Sequence, residues 1–314
     1  MSNFDAILNQ AKKNGKVNAP QEIVIQSPEN EGNKEKNDWV EKQKKRREQL
    51  FDMIEAACPT IVSSIEKMSE FLKVQSNFEK YSLNNNILIF AQKPDATKIK
   101  DFNGWKEEGG SVKKGSKGFV IMEPSPYKKD GEDRVAFNPK TVFDISDVAG
   151  VNEVQQVSYD KALLIRALVN NSPVDIVTLK NYPTGKPEGA YFDVKDNVIY
   201  AKAGMDVNDI FISVSQALAF VEIARNSKEP FRAADHVFQA RCVALVLANK
   251  FGVPADKIQL YSMPTRYAGC DSEMIKKDLS EIHSAVKSIV NRMNEVLIER
   301  PKEQSKSRSE KEAR

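Results

Sequence analysis

Histidine is nearly absent from this chain. Only His236 and His283 occur in 314 residues, beside three cysteines, Cys58, Cys242 and Cys270. Transition-metal sites draw on these two residue types, so the stock of such ligands is small. The cysteines are odd in number, far apart and form no CxxC pair. No disulfide framework follows from them, and free thiols suit a reducing compartment, so a cytoplasmic protein is expected. No apolar run approaches the length of a membrane span. The opening MSNFDAILNQAKKNGK has no apolar core of the secretory-signal kind. Neither sign of charge is in excess: 47 basic against 44 acidic residues leave +3. Global steering toward nucleic acid is therefore weak, and any nucleic-acid site has to arise from local clustering. Also missing are a Gly-x-Ser-x-Gly nucleophile turn, a phosphate-binding glycine loop that opens a helix, and internal repeats.

What is present is a globular composition, 40% hydrophobic and 29% charged, with length for two domains and some unfolded tail. The chain is organised around Tyr81–Pro124, YSLNNNILIFAQKPDATKIKDFNGWKEEGGSVKKGSKGFVIMEP. Ser82 can cap a short helix whose apolar side is Ile87, Leu88, Phe90 and Ala91, and Lys93-Pro94-Asp95 stops it. A second short helix is expected over 101–108 around Trp105, ended by Gly109-Gly110. Then come Val112, a turn carrying Lys113, Lys114, Gly115, Ser116, Lys117 and Gly118, and a strand from Phe119 to Met122. This pattern reads as a hairpin with three lysines at its tip. Two readings stand side by side. In one, the lysines are a solvated tip, and Trp105 and Phe119 are core. In the other, Lys113, Lys114 and Lys117 meet phosphates while Trp105 or Phe119 offers bases a stacking face, the combination used by single-strand binders. Gly115 and Gly118 would let the backbone turn tightly and approach the strand.

The runs YSLNNNILIFAQKPDA, WKEEGGSVKKGSKGFVIMEP and TVFDISD resemble the N-terminal domain of ArdC-type antirestriction proteins, over Tyr81–Asp147. The family pattern falls on Asn85 or Asn86, Trp105, Gly110, Val112, Lys114, Gly115, Lys117 and Gly118. Such proteins are encoded by conjugative plasmids, integrative elements and phages. The resemblance implies a single-stranded-DNA-binding domain at residues 38–150, and it adds Asn85 and Asn86 to the candidate DNA-binding residues.

Residues 1–37, rich in Asn, Lys, Glu and Gln, are expected to be disordered, with Phe4, Ile7 and Leu8 as a possible docking turn. Asp38 can cap a helix from Trp39 that carries the basic run Lys42–Arg47 and the apolar stripe Leu50, Met53, Ile54 and Ala57; Pro59 restarts it. The basic run is either a solvated face or a set of phosphate contacts. A polar loop is expected after Glu123, then returning strands over 134–137 and 141–145. The second half reads as a helix over 159–170, a strand at Val174–Val177, a hairpin around Lys195-Asp196-Asn197, and helices over 207–225, 231–251 and 271–299. A charged tail over 301–314 is expected to be disordered. The fold class is α+β: a small mixed domain, then a mostly helical domain over 151–300 with a short antiparallel sheet.

This second half resembles the zinc-peptidase (zincin-like) domain of ArdC-type proteins. There a buried helix carries HExxH, two histidines that bind zinc around a glutamate base, and an acid follows on the next helix. Here Ser215 and Ala219 stand at the histidine positions, Gln216 at the base, and Arg241 at the acid. Three ligands and the base are replaced, and Arg241 would repel an incoming cation. His236 and Cys242, about 240° apart on a helix, cannot face one ion. Cys242 reads as a small buried residue and His283 as a surface one. No catalytic residue, metal or cofactor is therefore expected. The expected partners are single-stranded DNA and a host restriction or defence enzyme, with no membrane. The leading expectation is an antirestriction DNA binder with an inactive peptidase-like domain. The alternatives are an inhibitor of a defence enzyme without DNA binding, and a metallopeptidase.

Overall fold

The computed structural model describes residues 33–152, 158–227, 230–261 and 263–311. The expected disorder of the first 32 residues, with Phe4, Ile7 and Leu8, lies outside these. The architecture is mixed α+β, as expected. The chain forms two compact units: one takes it up to Ile54 together with Ile99–Gly150, the other takes Glu55–Lys98 together with Val151 onward.

Helix α1 (Asn33–Ile61) begins earlier than Trp39, so Asp38 lies inside it rather than at its cap. Its apolar stripe is buried at Leu50, Ile54, Ala57 and Ile61. Pro59 does not restart the helix but sits within it. A proline cannot donate to the carbonyl four residues back. That carbonyl, on Glu55, instead accepts from the Ser272 hydroxyl at 3.0 Å, which compensates for the proline. The new start is at Ser64, whose hydroxyl accepts from the Lys67 N–H and caps α2 (Ile65–Asn77). Ser82 caps α3 (Leu83–Gln92) in the same way.

In the first unit, β1 (Ile99–Lys100) leads into α4 (Phe102–Glu107), capped by the Asp101 carboxylate at the Gly104 N–H, 2.7 Å away. Strand β2 is Ser111–Val112, β3 is Phe119–Lys129, β4 is Glu132–Asp144 and β5 is Val148–Ala149. The expected hairpin over 112–122 does not form. Strand β2 pairs with β5, while β3 pairs with β4 and β1 flanks the end of β4. The lysine turn thus connects two sheets. The expected polar loop after Glu123 is also replaced, by eleven paired residues on each strand that close through Asp130-Gly131. Both turn residues have positive φ, as a two-residue turn requires. Pro124 and Pro126, which read as loop, and Pro139 all fall at positions where the pair does not exchange hydrogen bonds. Their missing N–H groups therefore break no rung.

In the second unit, α5 (Lys161–Val169) is capped by Asp160. A three-stranded sheet follows: β6 (Asp175–Leu179), β7 (Ala190–Asp193) and β8 (Val198–Lys202), in the order β6-β8-β7. The β7–β8 hairpin is antiparallel as expected, but β6 joins β8 in parallel, so the sheet is mixed. Helix α6 (Val207–Asn226) packs on β7, on α5 and on α7 (Val237–Phe251). By length and composition alone α6 could cross a membrane; it is the core helix, with Phe211, Leu218 and Ala219 almost wholly buried. The residues before α7 form a 3-10 turn, Ala233–His236, rather than more helix. After the short α8 (Met263–Arg266), α9 (Ser272–Lys311) closes the unit. It continues beyond Pro301, where a disordered tail was expected, through a run of good helix formers, Lys, Glu and Gln.

Candidate nucleic-acid interface

The lysine turn is built by backbone requirements. The Ser116 N–H bonds the Lys113 carbonyl at 3.1 Å. Gly115, at the third position, has φ +88, which this turn type asks of glycine. The Lys113 N–H bonds the Asp147 carbonyl at 2.9 Å, and its ammonium donates to the Ser146 carbonyl at 2.8 Å. The turn is thereby fastened to the segment before β5. Lys113, Lys114 and Lys117 are exposed, and among the described residues none has an acidic ion-pair partner. Gly118 serves packing rather than a ligand: a Cβ there would lie 2.6 Å from Thr141 Cγ2 and 2.9 Å from the Val142 carbonyl oxygen.

The aromatic half of the sequence expectation fails. Trp105 is 0% exposed, and its indole N–H donates to the Phe143 carbonyl at 2.9 Å. Phe119 is 6% exposed on the inner face of β3. Neither offers a base a face to stack on. Asn85 and Asn86 are buried as well, in the other compact unit. The Asn86 amide donates to the Phe78 and Ser82 carbonyls, which pins the entry into α3. Of the candidates, only the lysines and Gly115 face solvent.

A second cationic segment reaches the same place. Arg46, in the basic run of α1, donates to the Thr141 hydroxyl at 3.0 Å. The methyl of that threonine fills the space beside Gly118. Arg46 and Gly118, at the end of the lysine turn, therefore meet at Thr141 of β4, although about 70 residues separate the two basic runs in sequence. No local spacing announces this, so sequence reasoning treated the two runs as separate candidates.

Residues 33–162 match the family of the N-terminal domain of anti-restriction factor ArdC. This segment is an ArdC N-terminal-type domain. The match begins where α1 begins and spans parts of both compact units. The chain shares its fold with the antirestriction protein ArdC of plasmid R388. In the metal-free form of that protein the TM-score is 0.52 at 18% identity, over 78% of this chain and 98% of the other. In the Mn(II)-bound form it is 0.53 at 18%, over 77% and 98%. An uncharacterized protein of Bacillus anthracis, pXO2-81, is 22% identical over 321 residues; the alignment takes 85% of this chain and 54% of that protein, so the chain spans about half the length of this curated relative.

The fold of a protein seen with Mn(II) raises the question of a metal on α6 and α7. The residues present do not fit one. Ser215 is wholly buried and its hydroxyl has no hydrogen-bond partner; Ala219 has no donor atom to offer. Gln216 is only partly buried. Arg241 donates to the Gln259 carbonyl at 3.2 Å and lies 5.0 Å from the centre of the Tyr261 ring, a fixed cation at the acid position. Asp278 is engaged by Arg266 at 2.7 Å and by the Gln239 amide at 3.3 Å. Burial pushes the Cys242 thiol far above its usual range, which opposes thiolate ligation. Among the described residues no three of His, Cys, Asp and Glu group as metal ligands. His283 is buried at 8% exposure, not on the surface, and its Nδ1 lies 3.0 Å from the Gln75 amide.

Proposed function

We propose that this chain binds single-stranded DNA through its ArdC N-terminal domain and protects the DNA of a mobile element, plasmid or phage, from a host restriction or defence enzyme. The observation that carries this is the turn at Lys113, Lys114 and Lys117: three exposed ammonium groups without acidic partners, held by backbone bonds in a domain of that family. Cations left unpaired by the fold are available to phosphates, and counterion release then drives binding. The second unit acts as a non-catalytic scaffold or protein-binding surface, because its donor set does not suit a metal. Elemental analysis finding one bound transition metal per chain would overturn that part.

The test is a titration with a single-stranded oligonucleotide against duplex competitor, across a salt series. Parent protein should prefer the single strand. The Lys113→Ala, Lys114→Ala, Lys117→Ala triple variant should bind every sequence more weakly, with a salt slope reduced by about 0.7 per lost phosphate contact. A triple variant that binds as tightly as the parent at moderate salt removes the turn from the site. The second reading, a defence-enzyme inhibitor that does not bind DNA, has one observation in its favour. A largely apolar groove of about 350 Å³ on the second unit is lined by Ile65, Leu245, Ile258, Leu260 and Tyr261. Protection without any single-strand binding by the parent would favour that reading.

A further inference from the structure

With Trp105 and Phe119 buried, the lysine turn lacks the aromatic surface that single-strand binders pair with cations. Among the described residues of the first unit three exposed phenylalanines remain: Phe102 at 58%, Phe137 at 42% and Phe51 at 40%. The charges around them separate the three. Beside Phe102, Lys100 is paired with Glu108 at 2.6 Å and Lys140 with Asp101 at 2.8 Å. On the strands around Phe137, Lys128 meets Asp133 at 3.8 Å and Arg134 meets Glu132 at 3.3 Å. Those cations are occupied, and only Lys106, four residues after Phe102, is exposed there without an acidic ion-pair partner among the described residues, against two cations without one on the stripe of Phe51. Phe51 differs. It lies on α1 four residues after Arg47 and seven after Lys44, so the three share one stripe of the helix. Among the described residues neither cation has an acidic ion-pair partner, and the Arg47 Nε is buried without a hydrogen-bond partner. The adjoining stripe, with Leu50 and Ile54 about 60–100° around the helix from Phe51, is buried, and Arg46 fixes the helix to Thr141 beside the lysine turn. Phe51 stands about 7.5 Å further along the axis than Arg46.

We infer that Phe51 is the base-stacking residue of the single-strand site, with Lys44 and Arg47, two turns and one turn before it on the same stripe, taking phosphates and the lysine turn extending the track. This rests on the single-strand reading given above. A phenylalanine exposed on a helix is otherwise a cost in water, and here it follows two unpaired cations on one stripe, where every base can supply a π-face whatever its identity. The site then reads the unstacked character of the strand. A duplex keeps its base faces covered and can satisfy the cations alone, which accounts for a preference that lysines by themselves would not give.

The experiment uses the full chain and an unstructured oligothymidylate, with affinity measured across a salt series and unfolding followed in parallel. Phe51→Ala is expected to lower affinity roughly 5- to 150-fold, the range for one lost base–aromatic stack, with the salt slope unchanged. Phe51→Leu, which keeps an apolar side chain but no π-face, should lose about as much, and Phe51→Trp should retain or improve binding. Leu and Trp keep the test open if the alanine variant folds poorly. If Phe51→Leu binds as the parent does while the triple lysine variant is impaired, this inference fails and the single-strand reading stands. A lowered salt slope in Phe51→Leu would also overturn it, because Phe51 would then act by placing a cation. If the parent itself does not bind, the reading and this inference fall together.

Discussion

The two compact units treat their cations in opposite ways. In the second, basic side chains close onto acids. Arg292 lies 2.7 Å from Glu222, Lys250 lies 2.9 Å from Glu79, Arg266 lies 2.7 Å from Asp278, and Lys276 pairs with Glu55. In the first, pairing is confined to the sheet and its flank, at Lys100, Lys128, Arg134 and Lys140. The turn Lys113–Lys117 and the helix run Lys42–Arg47 have no acidic partner among the described residues. A net charge of only +3 conceals this division. The lesson is that the balance of a whole chain says little about a site. Which cations the fold neutralises, and which it leaves to solvent, says more.

The comparison breaks most sharply at Glu222. This carboxylate is 3% exposed and faces Arg292, whose NH1 donates to the Ser288 hydroxyl, so the pair is held by charge rather than by an aligned hydrogen bond. Glu222→Ala would leave a buried guanidinium unpaired and should cost about 3–5 kcal/mol in denaturant unfolding. A loss below 1 kcal/mol would mean that water reaches the arginine, and that the second unit does not depend on its pairs.

A smaller effect belongs to the paired cation of the first unit. A hydrogen bond from Lys140, and then the Gly104 N–H, hold the Asp101 carboxyl below its usual range. Hydrogen bonds to Asp101 and Glu123 raise Lys140. A lowered acid stabilises fully above its ordinary value, about 3.9, and loses that contribution as pH falls toward the folded value. A raised lysine stabilises fully below about 10.4 and loses its share as pH rises through the folded value. Asp101→Asn should therefore remove under about 1 kcal/mol at neutral pH, because both groups are about a third exposed, and it should flatten the acid limb of the stability profile. An unchanged acid limb would show that the cap and the pair carry no weight.

The smallest effect on stability, within about 0.5 kcal/mol, is expected for the triple lysine variant, since exposed unpaired cations support no packing. Coupled with a loss of single-strand binding, this result would sharpen the contrast: cations in one unit hold the fold, and cations in the other are free for a ligand. A melting loss as large as that of Glu222→Ala would place the turn among the structural elements instead. Its bond from Lys113 to the Ser146 carbonyl would be the cause to pursue.

Local chemistry carried much of the fold in plain view. Ser82, Asp101 and Asp160 cap the helices that follow them, Gly252 ends α7 with a positive φ, and the turn at Lys195-Asp196-Asn197 closes a hairpin. These depend on side chains within a few residues of the backbone they satisfy, so adjacency suffices to read them. Where reading failed, the deciding partner was remote. Pro59 looked like a helix break until Ser272 took the freed Glu55 carbonyl. Pro124 and Pro126 looked like loop, because nothing in their neighbourhood says that β3 meets β4 with those N positions turned away from the ladder. His283 looked like a surface residue until Gln75 covered it.

The sequence by itself determined the candidate lysines, the helix and strand periods and the family resemblance, because each is a matter of residue type at fixed spacing. The choice of buried aromatics was left to the tertiary structure. Trp105 and Phe119 differ from Phe51 in what packs over them, and Trp105 finds its hydrogen-bond partner 38 residues away. One sequence clue did mark Phe51, since it falls outside the stripe of Leu50, Ile54 and Ala57 that the helix buries. That the basic run of α1 comes near the lysine turn was decided only by folding, which sets Arg46 and Gly118 against the same threonine. Side-chain spacing is short-ranged, whereas the meeting of two distant segments depends on strand pairing and packing across the whole unit.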